Sequence, residues 1–168
     1  MLSELPYLKM EAHKVRMSNP VQSKPSLPIF YTRHYKRIAA DLHSIKEAQR
    51  FVYECLTEWR KPVHDAWKIE LAIEEVLSNI ILHGYSTEMG LIELEFLINP
   101  LTATLTLQIQ DDGVPFNPLE DGPILLAKQP IEKQELSGLG IRLIMRTMDT
   151  VSYERAGNHN ILTLTKKL

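Results

Sequence analysis

The stretch from Lys68 to Tyr85, K-I-E-L-A-I-E-E-V-L-S-N-I-I-L-H-G-Y, most constrains how this chain folds. Its apolar residues recur at spacings of three and four, which predicts one buried stripe along a helix. The stripe consists of Ile69, Ala72, Ile73, Val76, Leu77 and Ile80. Gly84 is predicted to end the helix in the left-handed conformation that commonly follows a helical C-terminus.

Polar side chains follow the edge of this stripe. Glu75 and Asn79 are four positions apart and therefore lie one helical turn above each other, and His83 continues the row. A carboxylate and a carboxamide on a rigid helix suit a hard cation and a proton acceptor. The same spacing is also found on solvated helix edges, so this stretch alone leaves both interpretations open.

Composition limits the class of protein. The chain has 168 residues, a formal net charge of -2 and one cysteine. One domain is expected, and the charge argues against a nucleic-acid partner, which needs a basic surface. Cys55 excludes an internal disulfide, and its place on an apolar helical face predicts packing. Without an apolar run of bilayer length or a secretion signal, we expect a cytoplasmic protein with no membrane contact.

The first thirty residues differ from the rest. Pro20, Pro25 and Pro28 stand among polar residues, so residues 1–30 are interpreted as an arm or linker and residues 31–168 as the domain. Leu2 to Met17 is either a short docking helix or a mobile tail. Ile29 to Ala39 is predicted to be an edge strand.

A helix is predicted after this strand. Ser44 and Glu47 match a capping box, in which two side chains satisfy free backbone N–H groups at a helix start. Its predicted buried side consists of Ile45, Ala48, Val52, Cys55 and Trp59.

Alternating apolar residues predict strands in the second half. Leu91 to Ile98 and Thr102 to Gln110 alternate strictly and are joined as a hairpin at Asn99 and Pro100. Two further short strands, Val151 to Tyr153 and Ile161 to Thr165, flank a turn at residues 157–159.

Two glycine-containing segments follow the hairpin. The sequence D-D-G-V-P-F, from Asp111 to Phe116, is by itself a common turn at a strand end. Residues 119–137 form a long unpatterned loop, which indicates disorder or a lid.

The second glycine segment is L-S-G-L-G-I-R-L-I-M-R-T-M-D. Gly138 and Gly140 precede a helix, where backbone N–H groups at the positive end of the dipole can bind phosphate. The apolar face of this helix is predicted to consist of Ile141, Ile144, Met145 and Met148. Leu143 replaces the third glycine of a dinucleotide fingerprint, and the histidines lack zinc-ligand spacing.

The three segments, in this order, resemble the nucleotide-binding motifs of the GHKL (histidine-kinase-like) ATPase superfamily. L-A-I-E-E-V-L-S-N-I-I-L-H-G-Y, D-D-G-V-P-F-N-P and G-L-G-I-R-L-I-M-R-T-M-D look like its branch of anti-sigma-factor serine/threonine kinases. The resemblance covers Tyr31 to Leu168. It implies a two-layer α/β sandwich of the Bergerat type, with helices packed on one face of a mixed, mostly antiparallel sheet and ATP held beneath a mobile lid.

The resemblance also implies roles for individual residues. Asn79 would coordinate Mg²⁺ and Glu75 would be the general base. Asp111 would accept a hydrogen bond from the adenine amino group, with Gly113 allowing close approach. The residues Gly138, Leu139 and Gly140 would let the lid and the following helix wrap the phosphates of ATP or ADP. His83 would either line the same pocket or be a partly buried histidine with a structural role.

The function implied by the resemblance is that of a serine/threonine kinase. It would bind a sigma factor or another regulatory protein and phosphorylate an anti-sigma-factor antagonist, and it would form a homodimer through the strand from Tyr31 to Ala39. The alternative is a non-catalytic, nucleotide-gated binding module, because Leu136 stands where some of these kinases have an arginine that reaches the terminal phosphate. Lys128, Lys133 and Arg142 are candidates to replace that arginine. Pro115 stands where the wider superfamily has a glycine.

Overall fold

The computed structural model describes residues 13–16, 30–59, 63–85, 90–120 and 139–168. Six strands and three helices are present in these ranges, together with one π-helical turn. In chain order they are β1 (His13–Arg16), β2 (Phe30–Ala39), α1 (Ser44–Glu58), α2 (Ala66–Asn79), the π turn (Ile80–Gly84), β3 (Leu91–Asn99), β4 (Thr104–Asp111), α3 (Leu139–Thr147), β5 (Thr150–Ala156) and β6 (His159–Lys167).

The strands form one sheet in the order β1-β2-β3-β4-β6-β5. Every pairing among the described strands is antiparallel, so the sheet is antiparallel throughout these ranges rather than mixed. The helices pack together as a layer in which α2 contacts both α1 and α3, while α1 also contacts β2 and β3. The predicted two-layer α/β sandwich is confirmed.

The core lies between the sheet and the helices. Alternate residues of the central strands are buried, as the period of two predicts. These residues are Ile92, Leu94, Phe96 and Ile98 of β3, Leu105, Leu107 and Ile109 of β4, and Leu162 and Leu164 of β6. The next inward position on β4 after Ile109 is Asp111, so a carboxylate extends the apolar row at the end of this strand.

The helical faces agree with the predicted stripes. All of the stripe of α2 is buried except Ile80, which is partly exposed in the π turn. The buried side of α1 consists of Ser44, Ile45, Ala48, Phe51, Val52, Cys55 and Leu56, whereas Trp59 follows the helix and is only partly buried. Cys55 is 1% exposed, which confirms packing, and burial raises the pKa of its thiol.

The predicted capping box of α1 is wrong. The carboxylate that receives the N–H of Ser44 belongs to Asp41, with an N···Oδ1 distance of 2.9 Å. Glu47 instead forms an ion pair with Lys36 of β2 at 2.6 Å. Asp41 thus accepts the hydrogen bond of the free N–H three residues after it, and Ser44 is the first residue of α1 rather than its cap.

The N-terminal expectations are partly corrected. His13–Arg16 is a strand, not part of a helix, and it pairs with Phe30–Arg33 of β2. The predicted strand is therefore present, but β1 covers part of its outer side and is itself the edge. The other residues before Phe30 lie outside the described ranges, and the domain boundary and the homodimer stay predictions.

Two turns set the strand limits. In the β3–β4 connection, Asn99 Oδ1 accepts the N–H groups of Leu101 and Thr102 at 3.0 and 3.3 Å, and Ala103 has a φ of 50°. The hairpin is confirmed, but residues 100–103 form its loop and β4 begins later than predicted. Between β5 and β6, Gly157 has a φ of 60° in a two-residue connection, and both strands are longer than predicted.

The end of α2 also differs from its prediction. Gly84 does not have a positive φ, because the helix widens into the π turn instead of ending in a left-handed residue. Tyr85 then leaves in an extended conformation, with φ -124° and ψ 126°. A π turn shifts the residues after it relative to an α-helix, and such turns are frequent at functional sites.

Helix α3 packs with one side against the core. Ile144 and Met148 are buried, whereas Met145 is 59% exposed, so its predicted place on the apolar face is wrong. Met145 lies about 100° around the helix from Ile144, which turns it away from the core. Buried Lys166 donates from Nζ to the carbonyl of Thr147 at 2.7 Å and so caps the negative end of α3. No helix in the described ranges has the length and apolarity needed to cross a bilayer.

Candidate functional site

A cavity lies where the C-terminal end of α2, the end of β4 and the start of β6 come together. It contains about 470 Å³ of space between protein atoms, part of it open to solvent. It is lined by Val76, Asn79, Ile80, Gly84, Asp111, Val114, Phe116, Pro118, Ile144, Tyr153, Asn160 and Leu162. Most of these side chains are apolar, which is typical of a small-molecule site with a few polar groups that orient the ligand.

Asp111 is the buried carboxylate of this cavity. It is 4% exposed, and its Oδ1 accepts the N–H of Gly113 at 2.8 Å and the Nδ2 group of Asn160 at 2.9 Å. Loss of solvent raises the pKa of Asp111, although these two hydrogen bonds act in the opposite direction. Both hydrogen bonds that it accepts from described residues end on Oδ1, so Oδ2 keeps lone pairs for a ligand.

A second polar group, Asn160, stands beside Asp111. The two residues are register partners on β4 and β6, and the side chain of Asn160 is 6% exposed. Its Oδ1 accepts hydrogen bonds from Tyr153 and Arg155, both at 2.8 Å. The sequence motifs do not single out Asn160; the available signal was a polar residue at the inward position that precedes Leu162 and Leu164.

Gly113 lets the loop after β4 approach the π turn. A Cβ at this position would lie 2.7 Å from the carbonyl oxygen of Gly84 and 2.9 Å from Asp111 Oδ1, which is closer than such contacts occur. Directly after it, the N–H of Val114 donates to the same Gly84 oxygen at 3.0 Å. Backbone atoms therefore connect the helix that carries Asn79 to the loop that follows Asp111.

Tyr85 holds the other side of this loop. Its hydroxyl donates to Asp112 Oδ1 at 2.5 Å and accepts the N–H of Asp112 at 3.2 Å. The hydrogen bond from Tyr85 lowers the pKa of Asp112, while burial raises the pKa of Tyr85. The Tyr85 ring also lies against Gly90, where a Cβ would overlap it. The loop after β4 is thus fixed at both Asp112 and Val114.

Glu75 and Asn79 lie one turn apart on α2 and face different neighbours. Asn79 lines the cavity. Glu75 is partly buried against the start of α3, where a Cβ on Gly140 would overlap its Oε2. Glu75 is not among the cavity-lining residues, and so it belongs to the side of the site where α3 begins.

The remaining predicted residues are placed as follows. His83 is exposed and does not line the cavity, but its ring lies 6.5 Å from that of Phe116, which does. Leu139 opens α3, and Arg142 is exposed on the same helix. Gly138 lies outside the described ranges, as do Leu136, Lys128 and Lys133.

A family model agrees with this architecture. The model described as "Histidine kinase-like ATPase domain" matches residues 38–166, which is more than half of the chain. The chain belongs to this family. The matched range extends from the end of β2 to the end of β6 and so includes every residue that lines the cavity.

The individual proteins that resemble this histidine kinase-like ATPase domain have low sequence identity to it. An anti-sigma F factor of Clostridium kluyveri is 26% identical over 102 residues, which cover 60% of this chain and 68% of that protein. The serine-protein kinase RsbW of Bacillus mycoides is 32% identical over 91 residues, which cover 52% of this chain and 55% of the relative. A solved histidine kinase domain of a blue-light activated histidine kinase from Erythrobacter litoralis aligns with a TM-score of 0.47 and 23% identity, over 64% of this chain and 46% of that one.

Asn79 is the residue of this cavity to compare with the needs of a metal ion that accompanies a nucleotide. Among the described residues, no group of three or more His, Cys, Asp or Glu side chains is arranged to hold a metal ion. Mg²⁺ commonly keeps several waters and binds through substrate phosphates with one or two protein oxygens. The amide of Asn79, on the cavity wall of this histidine kinase-like ATPase domain, fits that arrangement.

Proposed function

We propose that this domain is an ATP-dependent serine/threonine protein kinase of the anti-sigma-factor type. It binds a sigma factor or a similar regulator and phosphorylates an anti-sigma-factor antagonist. The observation that carries the proposal is a single cavity with a buried carboxylate, Asp111, on one wall and the amide of Asn79 on another. Family membership and the names of the two relatives support the same function.

The polar groups suggest how a nucleotide is oriented. Asp111 is a buried acceptor and suits the amino group of adenine, with apolar side chains such as Ile144 and Leu162 against the base. Asn79 then lies toward the phosphates, together with the first turn of α3. Free N–H groups at a helix start bind phosphate oxygens, and this is the role proposed for Gly138, Leu139 and Gly140. Bound Mg²⁺ would neutralise phosphate charge.

Glu75 is in a position to act as the base. Its carboxylate lies against the first turn of α3, where the terminal phosphate would be held. In the transfer step the serine or threonine oxygen forms a bond to the γ-phosphorus, while the bond from that phosphorus to the β–γ bridging oxygen breaks and ADP leaves. The hydroxyl proton passes to the carboxylate of Glu75.

Separate substitutions of Glu75 and Asn79 distinguish a loss of phosphate transfer from a loss of Mg-ATP binding. Glu75→Ala is expected to abolish phosphate transfer while Mg-ATP still binds, whereas Asn79→Ala is expected to weaken Mg-ATP binding itself. Transfer is measured with radiolabelled ATP and candidate antagonist proteins, and binding by calorimetry. Glu74→Ala is the matched control, because Glu74 is exposed on the same helix and bonds to Gln49 of α1 at 3.1 Å.

Two outcomes would change this assignment. Unchanged transfer by Glu75→Ala would exclude Glu75 as the base. Binding of Mg-ATP by the unsubstituted protein without labelling of any antagonist would favour the nucleotide-gated binding module, for which Leu136 in place of an arginine is the sequence observation.

A further inference from the structure

Lys166 carries a buried ammonium group at the end of β6 that lies away from the cavity. Asn160 and Lys166 are the first and the last buried positions of this strand, and Lys166 is 8% exposed. Only Asn160 of the two lines the cavity, and the strand between them is about 20 Å long. Because burial of a charge is costly unless the charge is paired, the partners of Lys166 must account for its position.

Two groups on the helical layer interact with this ammonium. Its Nζ donates to the carbonyl oxygen of Thr147, the last residue of α3, at 2.7 Å. A positive charge is favourable at this place because the free carbonyl groups of a helix point toward its C-terminal end. The pKa of Asp65, the residue before α2, is lowered by the hydrogen bond from Lys68 and further by the charge of Lys166. Lys166 therefore lies between the end of α3 and the start of α2.

Helix α3 depends on such contacts for its position. It has nine residues, which is too short for a helix to be stable alone. Within residues 140–147, only Ile144 and Thr147 are buried, and the hydroxyl of Thr147 donates to carbonyl groups of its own helix. A hydrogen bond weakens steeply when its length or angle changes. The bond from Lys166 thus restricts movement of α3 along its axis.

The opposite end of α3 is its first turn, which contacts Glu75. A Cβ on Gly140 would overlap Glu75 Oε2, so the backbone of this turn lies directly against the carboxylate. Gly140 and Thr147 are about 10 Å apart along a regular helix. Because a helix moves as a stiff unit over this length, a shift at Thr147 also moves the turn beside Glu75.

We propose that Lys166 is a positioning residue for the phosphate groups of the nucleotide, because it holds the C-terminal end of α3 and so keeps the first turn of this helix against Glu75. This inference rests on the proposed nucleotide-binding function. Lys166 is not among the residues that line the cavity, so it acts through α3 and not by contact with the ligand. Its loss should weaken binding of Mg-ATP and leave binding of adenosine, which has no phosphate, unchanged.

The experiment compares the affinities of Mg-ATP and adenosine for the full chain by calorimetry, with adenosine measured in competition with Mg-ATP. In Lys166→Met, which keeps an unbranched side chain but has no charge, the ratio of Mg-ATP affinity to adenosine affinity is expected to fall by about tenfold. This is the effect of one lost hydrogen bond to a charged phosphate. Lys167→Met is the matched control, because Lys167 is exposed and bonds to Asp149 through its main-chain N–H. The ratio should not change in this control.

A second variant keeps the test valid if Lys166→Met does not fold. Lys166→Gln retains an N–H donor without the charge, and a reduction of the ratio by about threefold is expected. An equal loss of both affinities, or an unchanged ratio in the folded variants, would overturn the role of Lys166. Absence of Mg-ATP binding by the unsubstituted protein would instead contradict the proposed function.

Discussion

At the scale of single residues, Asp111 is the charged end of an otherwise apolar row. Its pKa is raised by loss of solvent, so the ionised form costs folding free energy relative to the unfolded chain. That cost is absent below the carboxyl pKa of the unfolded chain and complete above the higher pKa of the folded protein. Binding of a donor by this carboxylate would offset part of the cost, which relates stability to ligand recognition at one side chain.

Asp111→Asn should therefore stabilise the nucleotide-free protein at neutral pH. The amide keeps an oxygen for the N–H groups of Gly113 and Asn160 but removes the desolvated charge. The gain should disappear as the pH falls below the ordinary carboxyl pKa of 3.8. The affinity for Mg-ATP should fall by about 10- to 100-fold, since a hydrogen bond to a charged group is lost. Urea unfolding at several pH values and calorimetry measure the two effects.

The neighbouring carboxylate, Asp112, is a control because its ionised form has the opposite effect on stability. The pKa of Asp112 is lowered by its hydrogen bond from Tyr85, so Asp112 adds stability above its unfolded pKa and loses it as the pH falls through the lower folded pKa. Asp112→Asn should lower stability at neutral pH. A loss of stability in Asp111→Asn equal to that of Asp112→Asn would contradict the account of Asp111.

Alanine substitutions at Gly113 and Gly84 test whether Gly113 is required because of its close contacts. Gly113→Ala should destabilise the protein by about 1–3 kcal/mol, because the new methyl group meets backbone and a fixed carboxylate. Gly84→Ala is the control, since its Cβ would lie at ordinary distances of 3.7 Å from Ile80 and 3.9 Å from Asp111. Urea unfolding should show little change or a small gain for Gly84→Ala; equal losses for both variants would contradict the close contact at Gly113.

At the scale of elements, the hairpin of β5 and β6 depends on one positive φ. Gly157 has a φ of 60° and no atom within 4 Å of the position of a Cβ, so its requirement for glycine is conformational and not steric crowding by neighbours. Gly157→Ala should cost about 1–2 kcal/mol of unfolding free energy with an unchanged affinity for Mg-ATP. Asn158→Ala, beside it, should be nearly neutral in the same urea titration. Full stability of Gly157→Ala would exclude the strain.

Element types followed from sequence periodicity, whereas their ends did not. The inward rows of β3 and β4 and the stripe of α2 appear in the sequence at the correct periods. The cap from Asp41, the loop at residues 100–103 and the π turn depend on which backbone groups find partners, and several sequences satisfy the same groups. Met145 was misplaced because an apolar residue beside the stripe of a short helix cannot be distinguished from one in it.

The residues of the candidate site also fall into two groups, those that sequence motifs identify and those that only the structure shows. Motif spacing selected Asn79 and Asp111, and the structure brings both to one cavity. Asn160 is 49 positions from Asp111 and reaches it only through the register of β4 with β6. Such a partner is specified by strand pairing, which is a long-range property, and no local pattern marks it. Tyr153 and Arg155 enter the site through a second pairing, that of β5 with β6.

At the scale of the whole molecule, nucleotide binding should raise the free energy of unfolding and the melting temperature. A ligand that binds only the folded state adds about 2.7 kcal/mol at a concentration of 100 times Kd. For a chain of this size that corresponds to a rise in the melting temperature of about 5–10 °C. Thermal melts with Mg-ATP measure it, and Asn79→Ala at the same concentration should show a smaller rise. An unchanged melting temperature at millimolar Mg-ATP would exclude the nucleotide site.

The bond from the N–H of Val114 to the carbonyl of Gly84 determines how variation can act on this protein. Because both partners are main-chain atoms, the separation between the Asp111 end and the Asn79 end of the cavity is independent of the side chains at these two positions. Val114 is 56% exposed and also lines the cavity, so a change in its size or polarity alters the cavity wall but leaves that separation unchanged. Proline is the exception, since it lacks the N–H, and we expect it to be excluded from this position in functional homologues.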